Sequence, residues 1–316
     1  MPNRIIVNFD PQFIAASRVL RNVIYISNKK SLRDRHYNLA EGLVVRLGII
    51  LDKNFLAKFK NLKFIATITT GTDHIDEKYC RRRKVKIISL KGETAFLNTI
   101  RATPEHAWAL LLLLLRKIPW VFDSVRKGEW ERERFFGGEL YGRCFGIIGF
   151  GRVGRILSTY ARAFGMRVVF YDNRKIKAGS IKQVSLDALL KSADIISVNL
   201  PLNNSTRHFL KIRHFRLMKK GAIVINTSRG AVIDENALLI ALKRKIIGGA
   251  ALDVLENEYK PKGITKKHPL IKYANSHDNL VITPHIAGST HESMQKTAVF
   301  IAAKIKRFLQ NNPRYP

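Results

Sequence analysis

The chain has 316 residues, 46% apolar and 25% charged, which excludes a disordered or fibrous polymer and leaves room for about two globular domains. Its formal net charge is +32, from 56 Lys and Arg against 24 Asp and Glu. Residues 1–95 carry 19 basic and 8 acidic side chains and no tail concentrates the excess, so a generally basic surface is expected rather than a nucleic-acid partner.

The N-terminus, MPNRIIVNFD, has no apolar stretch leading to a small-residue cleavage site, so no signal peptide is expected and the protein is expected in the cytoplasm. Short apolar runs predict buried strands at Arg4 to Asp10, Val23 to Ser27, Gly42 to Arg46 and Phe64 to Thr67. A helix is expected over Phe55 to Phe59 and a glycine turn at Thr70-Gly71-Thr72. The tightest basic run, Arg81-Arg82-Arg83-Lys84, precedes one more apolar strand, Val85 to Ser89. Strands alternating with helices imply a parallel sheet with crossovers, a first α/β unit of roughly 95 residues.

Pro104 to Arg116 reads as a helix: Thr103 can cap it, Pro104 suits the first turn and Glu105 meets the positive end of the dipole. The longest apolar run, Ala107 to Leu115, is nine residues where a membrane span needs about 20, so a helix buried all round is expected, and no membrane. Pro119 to Tyr141 mixes charge with Trp120, Phe122, Trp130, Phe135 and Phe136, which suits an arm lying on another subunit; a surface hairpin of helices is the alternative. Beyond Gly142 six strands alternate with helices, at Cys144 to Gly149, Arg167 to Asp172, Ile195 to Leu200, Ala222 to Thr227, Gly249 to Asp253 and Leu280 to Thr283. The last helix, Glu292 to Leu309, is expected to return to the first unit. Cys80 and Cys144 stand in no metal-ligand or disulfide spacing, so inert thiols and no metal are expected.

Gly149-Phe150-Gly151-Arg152-Val153-Gly154 follows an apolar strand and opens a helix, the context that a dinucleotide fingerprint requires. Gly149 allows the tight turn, Gly151 lets the backbone approach a pyrophosphate, and Gly154 lets the helix pack on the strand. The next strand ends in Asp172, 18 residues after Gly154, where a carboxylate can bind the adenosine ribose and repel a 2′-phosphate. NAD is the expected cofactor, with NADP the alternative because Asn173-Arg174-Lys175 comes next.

Four segments, GIIGFGRVG (146–154), INTSRGAVIDENALLIAL (225–242), GAALDVLENE (249–258) and TPHIAGST (283–290), together resemble the D-isomer-specific 2-hydroxyacid dehydrogenases. The resemblance covers nearly the whole chain and is closest to the phosphoglycerate dehydrogenase branch. It implies an α/β fold of two flavodoxin/Rossmann-like doubly wound parallel-sheet domains. An NAD-binding domain of 99–288 would be inserted in a substrate domain of 1–98 plus 289–316, with the active site in the cleft between them, and the molecule would be a homodimer. The activity implied is hydride transfer between NAD and a small D-2-hydroxy or 2-keto acid, with Arg229, Glu258 and His285 catalytic.

That trio suits the chemistry. A guanidinium holds a carboxylate with a planar fork and polarises the neighbouring carbonyl. A histidine gives the proton that the reduced oxygen needs, and a carboxylate beside it orients the ring and favours its charged form. The resemblance further implies that Asp253 contacts the nicotinamide amide, that Thr206 and Thr227 line the cofactor cleft, and that Gly71 and Thr72 bind substrate. Arg46 matches part of the branch's phosphate-binding run, and Arg101 another of its arginines. Arg46-Leu47-Gly48-Ile49 lacks that run's second cation and hydroxyls, so a glyoxylate or hydroxypyruvate reductase is the alternative substrate reading. An NAD-sensing scaffold of the corepressor kind is the alternative of another class. The length leaves no room for the regulatory domain that some members carry, so serine-type feedback is not expected.

Overall fold

The computed structural model describes residues 5–259 and 264–312. Arg4, at the start of the first expected strand, lies outside them. Two compact units divide the chain, residues 1–100 with 289–316 and residues 101–288. Each is built on a parallel sheet.

In the first unit, β1 (Ile5–Asn8), β2 (Val23–Tyr25), β3 (Ala40–Val45), β4 (Phe64–Thr67) and β5 (Lys86–Ile88) pair in the order β2-β1-β3-β4-β5. The order reverses between β1 and β3, which opens a crevice beyond the carboxyl ends of those strands. β1, β3 and β4 are buried along their whole length, as expected of parallel strands covered on both faces. A Cβ at Gly42 would lie 2.2 Å from the Phe64 ring, so the neighbouring strand's aromatic takes the place of a side chain there. The helix expected over Phe55 to Phe59 is Lys53–Leu56, begun by Asp52, whose carboxylate accepts the Phe55 N–H at 2.8 Å. Helix His291–Gln310 packs on this unit through a stripe of Thr297, Ala298, Ile301, Ala302 and Ile305. Phe300 stacks 3.9 Å from Phe96, and Phe308 meets Phe64 edge-on at 5.6 Å.

The second unit holds β6 (Cys144–Ile148), β7 (Arg167–Tyr171), β8 (Lys182–Gln183), β9 (Ile195–Val198), β10 (Ile223–Asn226), β11 (Gly249–Leu252) and β12 (Leu280–Ile282). Their order is β12-β11-β10-β9-β6-β7-β8, doubly wound about a switch between β6 and β9. The sheet thus has seven strands among the described residues where six were expected. β8 is a two-residue edge strand, too short for any alternation to mark it.

Helix Ala102–Leu115 corrects two expectations. It starts ahead of Pro104, with Arg101 at the N-cap and no side-chain cap, so Thr103 sits inside the first turn instead of capping it. Proline has no N–H to give and is tolerated throughout that turn, so it did not mark the first residue. Nor is the leucine run covered all round: Leu110, Leu111, Leu114 and Leu115 are buried, whereas Leu112 and Leu113 are half-buried. The segment that follows leaves Phe122, Trp130, Phe136 and Tyr141 exposed, Trp130 to 88%. Both cysteines are buried, and burial pushes the Cys80 thiol up to about 11 and raises that of Cys144, which keeps both un-ionised at neutral pH. Among the described residues no helix is long and apolar enough to cross a membrane.

Candidate active site

The glycine loop lies at the switch of the second sheet, between the end of β6 and helix Arg152–Ala163. Gly149 has φ +89°, and a Cβ on it would stand 2.7 Å from the Asn199 carbonyl oxygen beyond β9. A Cβ on Gly154 would stand 2.6 Å from the Gly149 carbonyl oxygen. Packing of the chain on itself therefore requires both outer glycines. Gly151 differs: its Cβ would meet nothing within 4 Å, so its smallness serves no internal contact. An open glycine at a helix N-terminus is what a pyrophosphate needs to reach the amides. Burial and the neighbouring Arg101 guanidinium push the Arg152 guanidinium below its ordinary value, an environment that a bound anion relieves.

Phe150 anchors the loop by stacking 4.0 Å from Phe170, and Val153 is half-buried against the same core. Asp172 follows β7 and its carboxylate accepts the Phe150 N–H at 3.0 Å and the Arg174 N–H at 3.1 Å. The Arg174 Nε lies 3.3 Å away. Burial alone would raise the Asp172 carboxyl, but those two amides and the Arg174 guanidinium outweigh it and hold the group below the usual carboxylate value. Thr227 is buried just past β10. The Thr206 hydroxyl accepts the Asn203 N–H at 2.8 Å and donates to the Pro201 carbonyl, so it is bound within its own turn.

His285 follows β12 in a left-handed conformation, φ +55°. Three successive amides fix that turn on Asp253: His285 N–H donates to the Asp253 carbonyl at 2.7 Å, and those of Ile286 and Ala287 to its carboxylate at 2.9 and 2.8 Å. The Thr283 hydroxyl donates to the same carboxylate, and His106 Nε2 lies 2.9 Å from Thr283 Oγ1. Burial would raise the Asp253 carboxyl, yet the hydrogen bonds from His106, Thr283, Ala287 and Ile286 hold it below its ordinary value. Asp253 is wholly buried and organises the histidine turn, a task that its expected contact with a nicotinamide did not include.

Glu258 Oε1 stands 2.6 Å from His285 Nδ1, with both side chains 15% exposed. That leaves Nε2 as the nitrogen free for proton exchange. Arg229 leaves β10 on a turn held by Asn226, whose amide donates to the Arg229 carbonyl at 3.0 Å while its oxygen accepts from Ser228. A Cβ on Gly230 would fall 2.1 Å from the Leu255 carbonyl carbon, so this turn presses on the segment that leads to Glu258. In the other unit, Arg46 follows β3, and its positive charge works against the burial that raises the Asp10 carboxyl. Gly71 and Thr72 follow β4; the Thr69 hydroxyl donates to the Gly71 carbonyl at 2.7 Å and the Thr72 hydroxyl to Glu77.

Sequence reasoning missed a second layer beneath Glu258. Glu235, in the first turn of helix Glu235–Lys243, accepts the Glu256 N–H at 2.7 Å and sits 3.2 Å from His268 Nε2. Glu256 in turn receives Arg207 at 2.6 Å and His208 at 2.8 Å. Burial foremost, with the charges of Glu256 and Glu258, pushes the Glu235 carboxyl up to about 7. A carboxyl raised on folding contributes stability that is intact below its unfolded value of 4.5 and is lost as pH rises through about 7. Glu235→Gln is therefore expected to stabilise the protein by about 1–3 kcal/mol at pH 8 and not at pH 4.5. Urea melts at the two pH values measure it; an equal effect at both removes Glu235 as the source.

Three comparisons bear on this geometry. Residues 108–287 match the family described as D-isomer specific 2-hydroxyacid dehydrogenase, NAD binding domain. The chain is 38% identical over 277 residues to a D-3-phosphoglycerate dehydrogenase of Archaeoglobus fulgidus, covering 86% of this chain and 50% of that one. It thus spans about half the length of the phosphoglycerate dehydrogenases that it matches. It is 36% identical over 280 residues to a glyoxylate reductase of Thermococcus litoralis, covering 85% of this chain and 80% of that one. Among solved structures, a D-lactate dehydrogenase from Aquifex aeolicus complexed with NAD and lactic acid superposes with a TM-score of 0.86, at 28% identity over 99% of this chain and 97% of that one.

Proposed function

Because this chain belongs to the D-isomer specific 2-hydroxyacid dehydrogenase family, we propose that it is an NAD-dependent enzyme interconverting a small D-2-hydroxy acid and its 2-keto acid. The observation that carries this reading is the Glu258–His285 pair, 2.6 Å apart and next to the turn that bears Arg229. In reduction, Arg229 holds the substrate carboxylate and draws charge toward the carbonyl oxygen, and His285 Nε2 gives that oxygen a proton. Glu258 keeps Nδ1 occupied and offsets the ring's charge. The nicotinamide, when bound, supplies the hydride. Residues 149–154, Asp172, Thr206, Thr227 and Asp253 are assigned to the cofactor side and the 101–288 unit to NAD binding. Arg46, Gly71 and Thr72 are assigned to substrate, supported by their places past the ends of β3 and β4, where ligands of such sheets gather.

The substrate reading put first is a phosphoglycerate dehydrogenase-like one, supported by the most identical of the relatives above. Reduction of glyoxylate or hydroxypyruvate is the second, favoured by the apolar Leu47-Gly48-Ile49 beside Arg46. Following NADH oxidation with phosphohydroxypyruvate, hydroxypyruvate, glyoxylate and pyruvate at one ionic strength separates them, and no turnover with any of the four favours an NAD-sensing scaffold. A homodimer is proposed through the segment that exposes Phe122, Trp130, Phe136 and Tyr141. A cytoplasmic setting is proposed, since two buried cysteines are too few for the disulfide framework of a secreted protein.

NAD is the proposed cofactor, with Arg174 the feature that would admit NADP. Asp172→Ala is expected to raise the Kd of NADH roughly tenfold and that of NADPH by much less, since only NADH loses a ribose partner. Fluorescence titration with both cofactors tests this, and equal losses would undo the ribose assignment.

A further inference from the structure

We propose that Tyr259 is a positioning residue that shares His285 Nδ1 with Glu258. The proposal rests on the reading of His285 as the proton donor. The Tyr259 hydroxyl lies 2.6 Å from Nδ1, the same distance as Glu258 Oε1. The two rings are 5.8 Å apart and tilted by 36°, so the contact is made by the hydroxyl and not by stacking.

Consecutive residues ordinarily present their side chains in different directions, so two neighbours meeting one nitrogen need a reason. Asn257 supplies it. Its left-handed backbone, φ +64°, tightens the turn over residues 256–259, and asparagine tolerates that conformation better than most residues. Reversing the chain there brings residues 258 and 259 to the same ring. His285, itself left-handed at φ +55° and tied to Asp253 by its own amide, presents Nδ1 to both.

The two partners differ chemically. A carboxylate accepts and carries charge; a phenol can accept the same N–H as a second branch and is neutral. With both in place Nδ1 keeps its proton and Nε2 is the nitrogen that exchanges. When the carboxylate is removed or protonated, the phenol still holds the ring in that tautomer. Tyr259 thus makes the orientation of His285 less dependent on the charge of Glu258.

Tyr259→Phe keeps the ring and deletes the hydroxyl. In the intact enzyme it is expected to lower kcat about threefold, with KM for the keto acid and Kd for NADH unchanged. In a Glu258→Ala background the same change is expected to lower kcat by about tenfold or more, because the phenol is then the remaining partner. The pH profile of kcat should also narrow on its acid side in Tyr259→Phe. Equal factors in the two backgrounds would overturn the proposal. A second readout does not need turnover: imidazole 15N spectra of the unliganded protein should show His285 with its proton on Nδ1 in Glu258→Ala and a tautomer mixture in the double variant. Identical spectra from those two variants would also overturn it. If the spectra differ as expected while no keto acid is reduced, the proposed function falls and the Tyr259 contact stands.

Discussion

Replacing His285 by alanine is expected to lower kcat for keto-acid reduction about a thousandfold while leaving the Kd of NADH within about twofold. The figure is the middle of the range for a single proton donor. Cofactor binding should be spared because His285 sits past β12, whereas the glycine loop joins β6 to its helix. A confounding effect is conformational. At φ +55° alanine costs more than asparagine does, on the order of 1 kcal/mol. Asparagine at 285 is therefore the companion variant, since it tolerates the turn and lacks the acid. Both variants should be inactive and only the alanine one less stable. Turnover by either at more than about a tenth of the parent rate would remove His285 as the proton donor.

Arg229→Lys is expected to lower kcat/KM by about a thousandfold, shared between a higher KM and a lower kcat. Lysine keeps the charge and loses the fork, so it separates bidentate recognition from simple attraction. Loss in KM alone would mean that the guanidinium binds the carboxylate without acting on the carbonyl. Loss in neither would mean that another cation anchors the substrate, and Arg46 and Arg101 are the candidates to replace next. The turn that carries Arg229 is fixed by Asn226 and by the close approach of Gly230 to Leu255, so a side-chain change should not move the backbone.

What could be read from the sequence divides along a physical line. The parallel strands were readable because burial on both faces leaves apolar runs, as at 5–7 and 223–225. The glycine loop was readable because steric demands act on fixed spacings, and the structure shows Gly149 and Gly154 each facing a carbonyl oxygen. Edges and caps were harder. β8 has two residues, and helix Ala102–Leu115 starts ahead of Thr103 with no side-chain cap to mark it. The layer of Glu235, Glu256 and His268 and the Tyr259 contact with His285 were invisible, because they join a helix start to turns whose register no periodicity announces. Asp253 is the instructive case: its position was singled out, but its partners in the His285 turn were not.

Those partners have an evolutionary consequence. The 285–287 turn is shaped by main-chain amides meeting Asp253, and the imidazole, which bonds to Glu258 and Tyr259 instead, makes none of those contacts. Selection for folding therefore acts on Asp253 and selection for turnover on the ring, and the two can be lost separately. A single-base change from a histidine to an asparagine codon would leave the turn in place and abolish the acid, so a lineage that only binds nucleotide lies one step from one that reacts.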